Sequence, residues 1–186
     1  LGVRGSKVEL VLNSIFHVSN GPDKPLTQEQ YEQIKNNPAV KEAIPMSVGD
    51  NYKGYRMVGT IRKLFEDHEW RPGRKYELAA GELFADNRQQ AVFGSFAARK
   101  LKIRVGDVIQ PYHGLDYTGE KSMHPNDYVV AGVLEPTGTP ADHVVWIPIE
   151  GALNMPGHAA NLGFAPSSVL VKFQPKAKRE YLQLLY

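Results

Sequence analysis

Two stretches in the second half of this 186-residue chain constrain its fold more than anything else. Residues 89–107 read as strand, short helix, Gly-Asp turn and strand. Ala91-Val92-Phe93 is the strand, Ser95 stands where a helix N-cap belongs, and Phe96 and Leu101 face inward. Arg99 and Lys100 then fall at the negative end of the helix dipole. Residues 128–140 form a β-rich apolar run, Tyr128 to Leu134, halted by Pro136, Gly138 and Pro140. Each special residue here has a structural job, and none is an obvious nucleophile or base. That pattern points to a scaffold or interaction domain.

The rest of the chain supplies the remaining elements. Lys7 to Asn13 alternates weakly and is rich in Val and Leu, which predicts a strand. Turn chemistry makes Ser19 to Pro25 a loop. Thr27 and Gln30 form a capping box, with Leu26 and Tyr31 as its hydrophobic staple. The helix they open ends near Asn36, because Pro38 disfavours helical geometry in the residue before it. Ala43 to Val48 and Tyr55 to Ile61 read as strands around a polar turn containing Gly49, Asp50 and Gly54. Arg62 to Lys75 is densely charged and carries Pro72 and Gly73, so a lobe boundary is expected there. His143 to Ile149 and Ser168 to Phe173 are further strands. Lys176 to Tyr186 is an amphipathic helix with Ala177, Tyr181, Leu184 and Leu185 on one face. The order βαββ, a β-rich insertion, then βα predicts an α+β fold.

Composition sets limits without selecting a function. A net charge of +2 is too small to argue for a nucleic-acid or membrane-surface partner. The basic run Arg99, Lys100, Lys102, Arg104 lacks the interleaved aromatics of a single-strand binder, so no nucleic acid is expected. With no cysteine there are no disulfides and no thiolate metal sites. The longest apolar run suits a buried strand and is far too short to span a bilayer. The chain begins without a methionine and stops inside an apparent helix, which suggests a piece of a longer protein.

Catalytic signatures are missing. There is no G-x-x-x-x-G-K-[ST] and no G-x-G-x-x-G, so this chain is not the ATPase of a transporter. Gly94-Ser95 sits in a strand-to-helix turn like that of a nucleophile elbow, but Ala97 replaces the required glycine. No catalytic residue, cofactor or metal site is therefore assigned. One constellation runs against that reading. His113 to Asp116 and His124 to Asp127 are two H-x-x-D units, and their imidazoles and carboxylates suit a divalent metal. A polar loop with no rigid helix beneath it reads more simply as a solvated hairpin. Asp67, His68 and Glu69, amid Arg62, Lys63, Arg71, Arg74 and Lys75, read as a mixed-sign solvated hinge. Tyr52, Tyr55 and Arg56 read as cross-strand packing beside a hairpin turn.

Four phrases, in order, resemble the extracytoplasmic core domain of MacB-type (FtsX-like) ABC transporter permeases. They are GSKVELVLNSIFH (residues 5–17), GDNYKGYRMVGT (49–60), AVFGSFAARKLKIRVGDVIQP (91–111) and YVVAGVLEPTGTPADHVVWIPIEGA (128–152). The resemblance implies a porter-like βαβ lobe interrupted by a smaller β-rich lobe with a short helix. Residues 1–63 are then the first part of the porter-like lobe, 64–150 the inserted lobe, and 151–186 the loop, strand and helix that return. It also implies transmembrane helices on both sides, an inner-membrane location with this domain periplasmic, and no catalysis within it. The expected partners are a cytoplasmic ABC ATPase reached through those helices, a second permease copy or related permease, and a periplasmic protein. The rival readings are a free-standing metal-dependent hydrolase built on the His113–Asp127 loop and a soluble ligand-binding module.

One segment stands out as a partner surface. Gly151 through Val171 contains no Asp, Glu, Lys or Arg, and its first part is too rich in Gly, Pro and Asn for a regular core element. Leu153, Met155, Leu162 and Phe164 on this uncharged loop are the expected partner-binding residues. Packing across the two lobes is the equally simple alternative.

Overall fold

A computed structural model describes residues 1–2, 7–16, 25–114, 123, 125–153 and 166–177. Helix α1 (Lys7–Ser14) precedes α2 (Gln28–Lys35), followed by the long strand β1 (Val40–Tyr52), β2 (Tyr55–Thr60) and the short α3 (Lys63–Glu66). Then come β3 (Leu78–Gly81), β4 (Gln90–Phe93), α4 (Ser95–Leu101), β5 (Val108–Ile109), β6 (Tyr112–His113) and β7 (Tyr128–Leu134). A 3-10 turn (Pro140–His143), β8 (Val145–Pro148), α5 (Ile149–Leu153) and β9 (Ser168–Phe173) complete the described chain. The fold is α+β, a mixed sheet with a few helices.

The sheet runs in the order β3-β7-β4-β8-β2-β1-β6, with β5 added to β7 and β9 to β1. The pairs β2–β8 and β4–β7 are parallel, and the other named ladders are antiparallel. Parallel pairs need a covered crossover, and α4 supplies one between β4 and β7. Strand β1 changes neighbours along its length. Val40 to Met46 pair with β9, and Ser47 to Tyr52 pair with β2. Gly49 lies at the register shift between Val48 and Asp50. The hairpin turn is Lys53-Gly54, both with positive φ (49° and 85°), the geometry of a two-residue turn matched to sheet twist. The expected turn at Gly49 and Asp50 is thus the interior of β1, and only Gly54 turns the chain.

Period-two alternation sends the central strands' side chains to two cores. Ala91, Phe93, Val145, Ile147, Met57 and Tyr128 pack on one face beneath Ala97 and Ala98 of α4. Val92, Trp146 and Val58 point the other way, against Leu64, Phe65 and Phe84. Because both faces are covered, these strands read as continuous apolar runs. A third cluster joins Tyr31 and Ile34 of α2 to Val40, Ala43 and Val169. The capping box of α2 is present, with Thr27 N donating to Gln30 Oε1 at 2.9 Å and Gln30 N to Thr27 Oγ1 at 3.2 Å. Asn36 is its C-cap.

Several local expectations change. Lys7 to Ser14 is a helix, not a strand. Its apolar residues fit either period over so short a span, and packing against β9 decides for helix. Ser95 is the first residue of α4 rather than its cap; Gly94 holds the cap position, with no side-chain cap. His143 belongs to the 3-10 turn, and Ile149 opens α5, so the strand between them is only Val145–Pro148. The charged stretch 62–75 is anchored, since α3 buries Leu64 and Phe65. Phe65 meets Tyr76, Phe84 and Trp146 edge-on at 5.6–5.7 Å between ring centroids. Of the expected C-terminal helix, Lys176 and Ala177 are described and non-helical, and 178–186 lie outside the described residues.

Candidate interaction surface

The two phrases that dominate the sequence meet in space. The second continues past β7 as Pro136-Thr-Gly-Thr-Pro-Ala-Asp142, and Asp142 organises it. Thr137 N donates to Asp142 Oδ1 at 2.9 Å, Gly138 N to Oδ2 at 2.8 Å, and Thr137 Oγ1 to Oδ1 at 2.8 Å. Thr139 N in turn donates to Thr137 Oγ1. A buried carboxylate satisfied by backbone N–H groups makes a stiff loop, and that is why a polar segment with two prolines stays close to the core. The loop packs directly on the strand-to-helix turn of the first phrase. Gly94 N donates to Val144 O at 2.8 Å, and a Cβ on Gly94 would sit 2.4 Å from Ala141 O. Only glycine permits this approach.

Where loop and helix meet, a groove of about 560 Å³ opens at the surface. Phe96 forms its floor, stacked on the exposed His143 ring at 4.0 Å between centroids and 25° between planes. Phe16, Pro136 and Pro140 supply the other apolar walls. The Arg99 guanidinium lies 5.4 Å and the Lys100 ammonium 5.5 Å from the Phe96 ring centroid, within cation–π range. Phe96 was expected to face the core. It is only half-buried, because Ala97 and Ala98 occupy the inward face of α4. A surface with an aromatic floor and a cationic rim can dock another molecule; Ser95 and His143 both line it, but no hydrogen bond joins them among the described residues.

Elsewhere, the His68 ring donates from Nδ1 to Glu42 Oε2 at 3.1 Å, and Lys172 Nζ stands 3.7 Å from Oε1. Burial by itself would raise the Glu42 pKa, but the His68 hydrogen bond and the charges of Lys172, His68 and Lys41 outweigh it and hold the carboxyl below its usual value. His68 is thus no solvated hinge residue but ties 62–75 to β1, while Asp67 and Glu69 remain exposed. Tyr128 is fully buried, and its hydroxyl has no hydrogen-bond partner among the described residues. Burial and then the Asp50 charge push its pKa upward, so it stays a neutral phenol. The hydroxyl lies beneath Gly151, beside a cleft of about 410 Å³.

A sequence model of the MacB-like periplasmic core domain matches residues 4–183. The chain belongs to that family. No match was found among curated proteins. Two solved structures share the fold of this MacB-like domain. One is the extracellular domain of the noncanonic ABC-type transporter YknZ from Gram-positive bacteria, at 16% identity and TM-score 0.53, covering 97% of this chain and 83% of that one. The other is the periplasmic region of MacB from Actinobacillus actinomycetemcomitans, at 13% identity and TM-score 0.56, covering 96% and 85%. The family is a transporter periplasmic domain and is not a known catalytic family. No helix among the described residues is long and apolar enough to cross a membrane.

The residues singled out from sequence fall in different places in this MacB-like domain. Leu153 ends α5; its side chain, with Met155, Leu162 and Phe164, lies outside the described residues. His113 sits in β6 opposite Asp50, but its side chain, Asp116 and His124 are likewise outside, and Asp127 is exposed. Among the described residues no three His, Asp or Glu groups stand close enough to hold a metal. Tyr52 and Tyr55 are directly opposite across the hairpin, as cross-strand packing required, and Tyr52 meets Phe93 edge-on at 6.0 Å. The groove at Phe96 and His143 was missed. The two motifs that form it were visible, but they are widely separated in the chain, and nothing local shows that they touch.

Proposed function

We propose that this domain is the non-catalytic periplasmic part of an ABC transporter permease subunit in the inner membrane, engaging a substrate or partner protein outside the cytoplasm and coupling to ATP-driven motion of transmembrane helices. The observation that carries the reading is the family match over nearly the whole chain. A cytoplasmic ABC ATPase supplies the hydrolysis and a second permease copy or related permease completes the assembly. The chain has no phosphate-binding loop, so by itself it should be inert toward ATP. In this reading residues 1–63 and 151–186 form the lobe that receives the motion, and 64–150 the lobe that carries it outward. Strand β1 leaves the β9 ladder for the β2 ladder at Met46–Ser47 and β2 pairs with β8, so the two parts share one sheet and the change of ladder falls inside 1–63. Leu153, Met155, Leu162 and Phe164 are proposed to contact the partner.

The test is made in the intact permease. Replacing residues 4–183 with an unrelated soluble domain should abolish transport while the assembled complex and its basal ATP hydrolysis persist. Undiminished transport would overturn the proposal. Met155→Asp with Leu162→Asp should lower transport without changing thermal stability; a large drop in melting temperature would instead assign that segment to the core.

A further inference from the structure

Resting on the reading that the domain engages a partner, we propose that the groove between α4 and the Pro136–Asp142 loop docks an extended, acidic segment of a partner protein that carries an apolar or aromatic anchor. The floor fixes the anchor. Phe96 and His143 stack at 4.0 Å and leave an amphipathic ring surface, with Phe16, itself 48% exposed, also lining the groove. An exposed aromatic floor framed by proline is stiff, so little side-chain entropy is lost when a ring or aliphatic group settles on it.

The rim fixes the charge. From Ser95 to Gly106 there are four basic residues, Arg99, Lys100, Lys102 and Arg104, and no Asp or Glu. All four are exposed. Two of them, Arg99 and Lys100, stand over Phe96 at 5.4 and 5.5 Å, which brings positive charge to the groove. The carboxylate that lines the groove, Asp142, faces inward: both its oxygens accept hydrogen bonds from the loop's own Thr137 and Gly138. It binds its loop but keeps its charge, and it is outnumbered by Arg99 and Lys100 over Phe96 with Lys102 and Arg104 further along the same basic run. An apolar floor beneath a net-positive rim complements a ligand that is apolar at its centre and anionic at its edges. Asp142 and Gly94 hold floor and rim in register, so the site is preformed rather than assembled on binding.

The probe is a short fluorescein-labelled peptide of alternating Glu and Phe, read by anisotropy against the 186-residue chain. A counterpart with every Glu replaced by Lys and phosphatidylglycerol vesicles serve as competitors. The Glu peptide should bind, the Lys peptide should not, and affinity should fall with salt. Arg99→Glu with Lys100→Glu should weaken the Glu peptide about tenfold and admit the Lys peptide. Both positions are exposed but lie at the C-terminus of α4, so the fold should persist with a modestly lowered melting temperature, and binding is read well below it. His143→Ala, which strips half the floor, should weaken binding at unchanged charge on the rim. Arg71→Glu with Arg74→Glu, an exposed basic pair outside the groove, should change nothing. Equal weakening by both double reversals would reduce the effect to net charge and overturn the groove. So would unchanged affinity after reversal at Arg99 and Lys100, or displacement of the peptide by the vesicles, which would assign the surface to lipid. Failure of the wild-type chain to bind the Glu peptide would overturn the groove alone, leaving the transporter reading to the domain-replacement experiment.

Discussion

Gly94 is the residue on which the two motifs depend. Its Cα lies so close to the 3-10 turn that an added methyl would meet Ala141 O at 2.4 Å and the Asp142 carbonyl carbon at 2.6 Å, both backbone atoms that cannot rotate away. Gly94→Ala should therefore cost about 3 kcal/mol in chemical denaturation at unchanged denaturant slope, as an overpacked site does. Glu42 makes a different kind of prediction. Its folded pKa lies below the usual 4.5, through the His68 hydrogen bond and the nearby cations acting against burial. A carboxylate with a depressed folded pKa contributes its stability above the unfolded value and loses it as pH falls through the folded one. Unfolding free energy should thus fall as pH drops below about 4.5, and Glu42→Gln should flatten that limb while lowering stability at neutral pH. An unchanged acid limb in the variant would show that other carboxylates govern it.

At the scale of elements, α2 and α1 show how differently local signals can act. Helix α2 is announced by a reciprocal cap and ended by a predictable stop, and its two buried residues, Tyr31 and Ile34, lie one turn apart. Thr27→Ala should destabilise the protein by about 1 kcal/mol, measured by thermal or denaturant unfolding, because Gln30 N loses its acceptor. Helix α1 has no such announcement. Val8, Val11 and Ile15 are exposed along one side, whereas Leu10 presses on Gly2. A segment of eight residues with apolar groups on two sides satisfies strand and helix patterns alike. The C-terminal end of α4 shows a cooperative use of charge. Arg99 and Lys100 sit where the helix dipole favours cations and also reach over Phe96.

Across the whole molecule, one mixed sheet joins segments from both ends of the described chain, and its two faces share strands residue by residue. Phe65 lies at the centre of one face, in edge contact with Tyr76, Phe84 and Trp146. Phe65→Ala should cost about 4 kcal/mol by cavity formation. The far-UV and tryptophan-fluorescence transitions should move together, because α3, β8 and the central sheet unfold as one unit. Separate transitions would mean that the 62–75 segment detaches on its own.

The sequence by itself determined the α+β class, the family, the central strands, the capped helix and the absence of a phosphate-binding loop. The family follows from the resemblance of four phrases, and the others from short-range chemistry: apolar patterning, a reciprocal cap, a turn residue, a missing motif. Tertiary structure alone decided the state of α1, the shift of the cap from Ser95 to Gly94, the partner switch along β1 and the burial of His68 against Glu42. It also decided where Phe96 points. Alanines at positions 97 and 98 take the inward face of α4, and the large ring turns to the groove floor, where it stacks on His143. These outcomes depend on contacts between residues tens of positions apart, and no local pattern records which distant surface arrives.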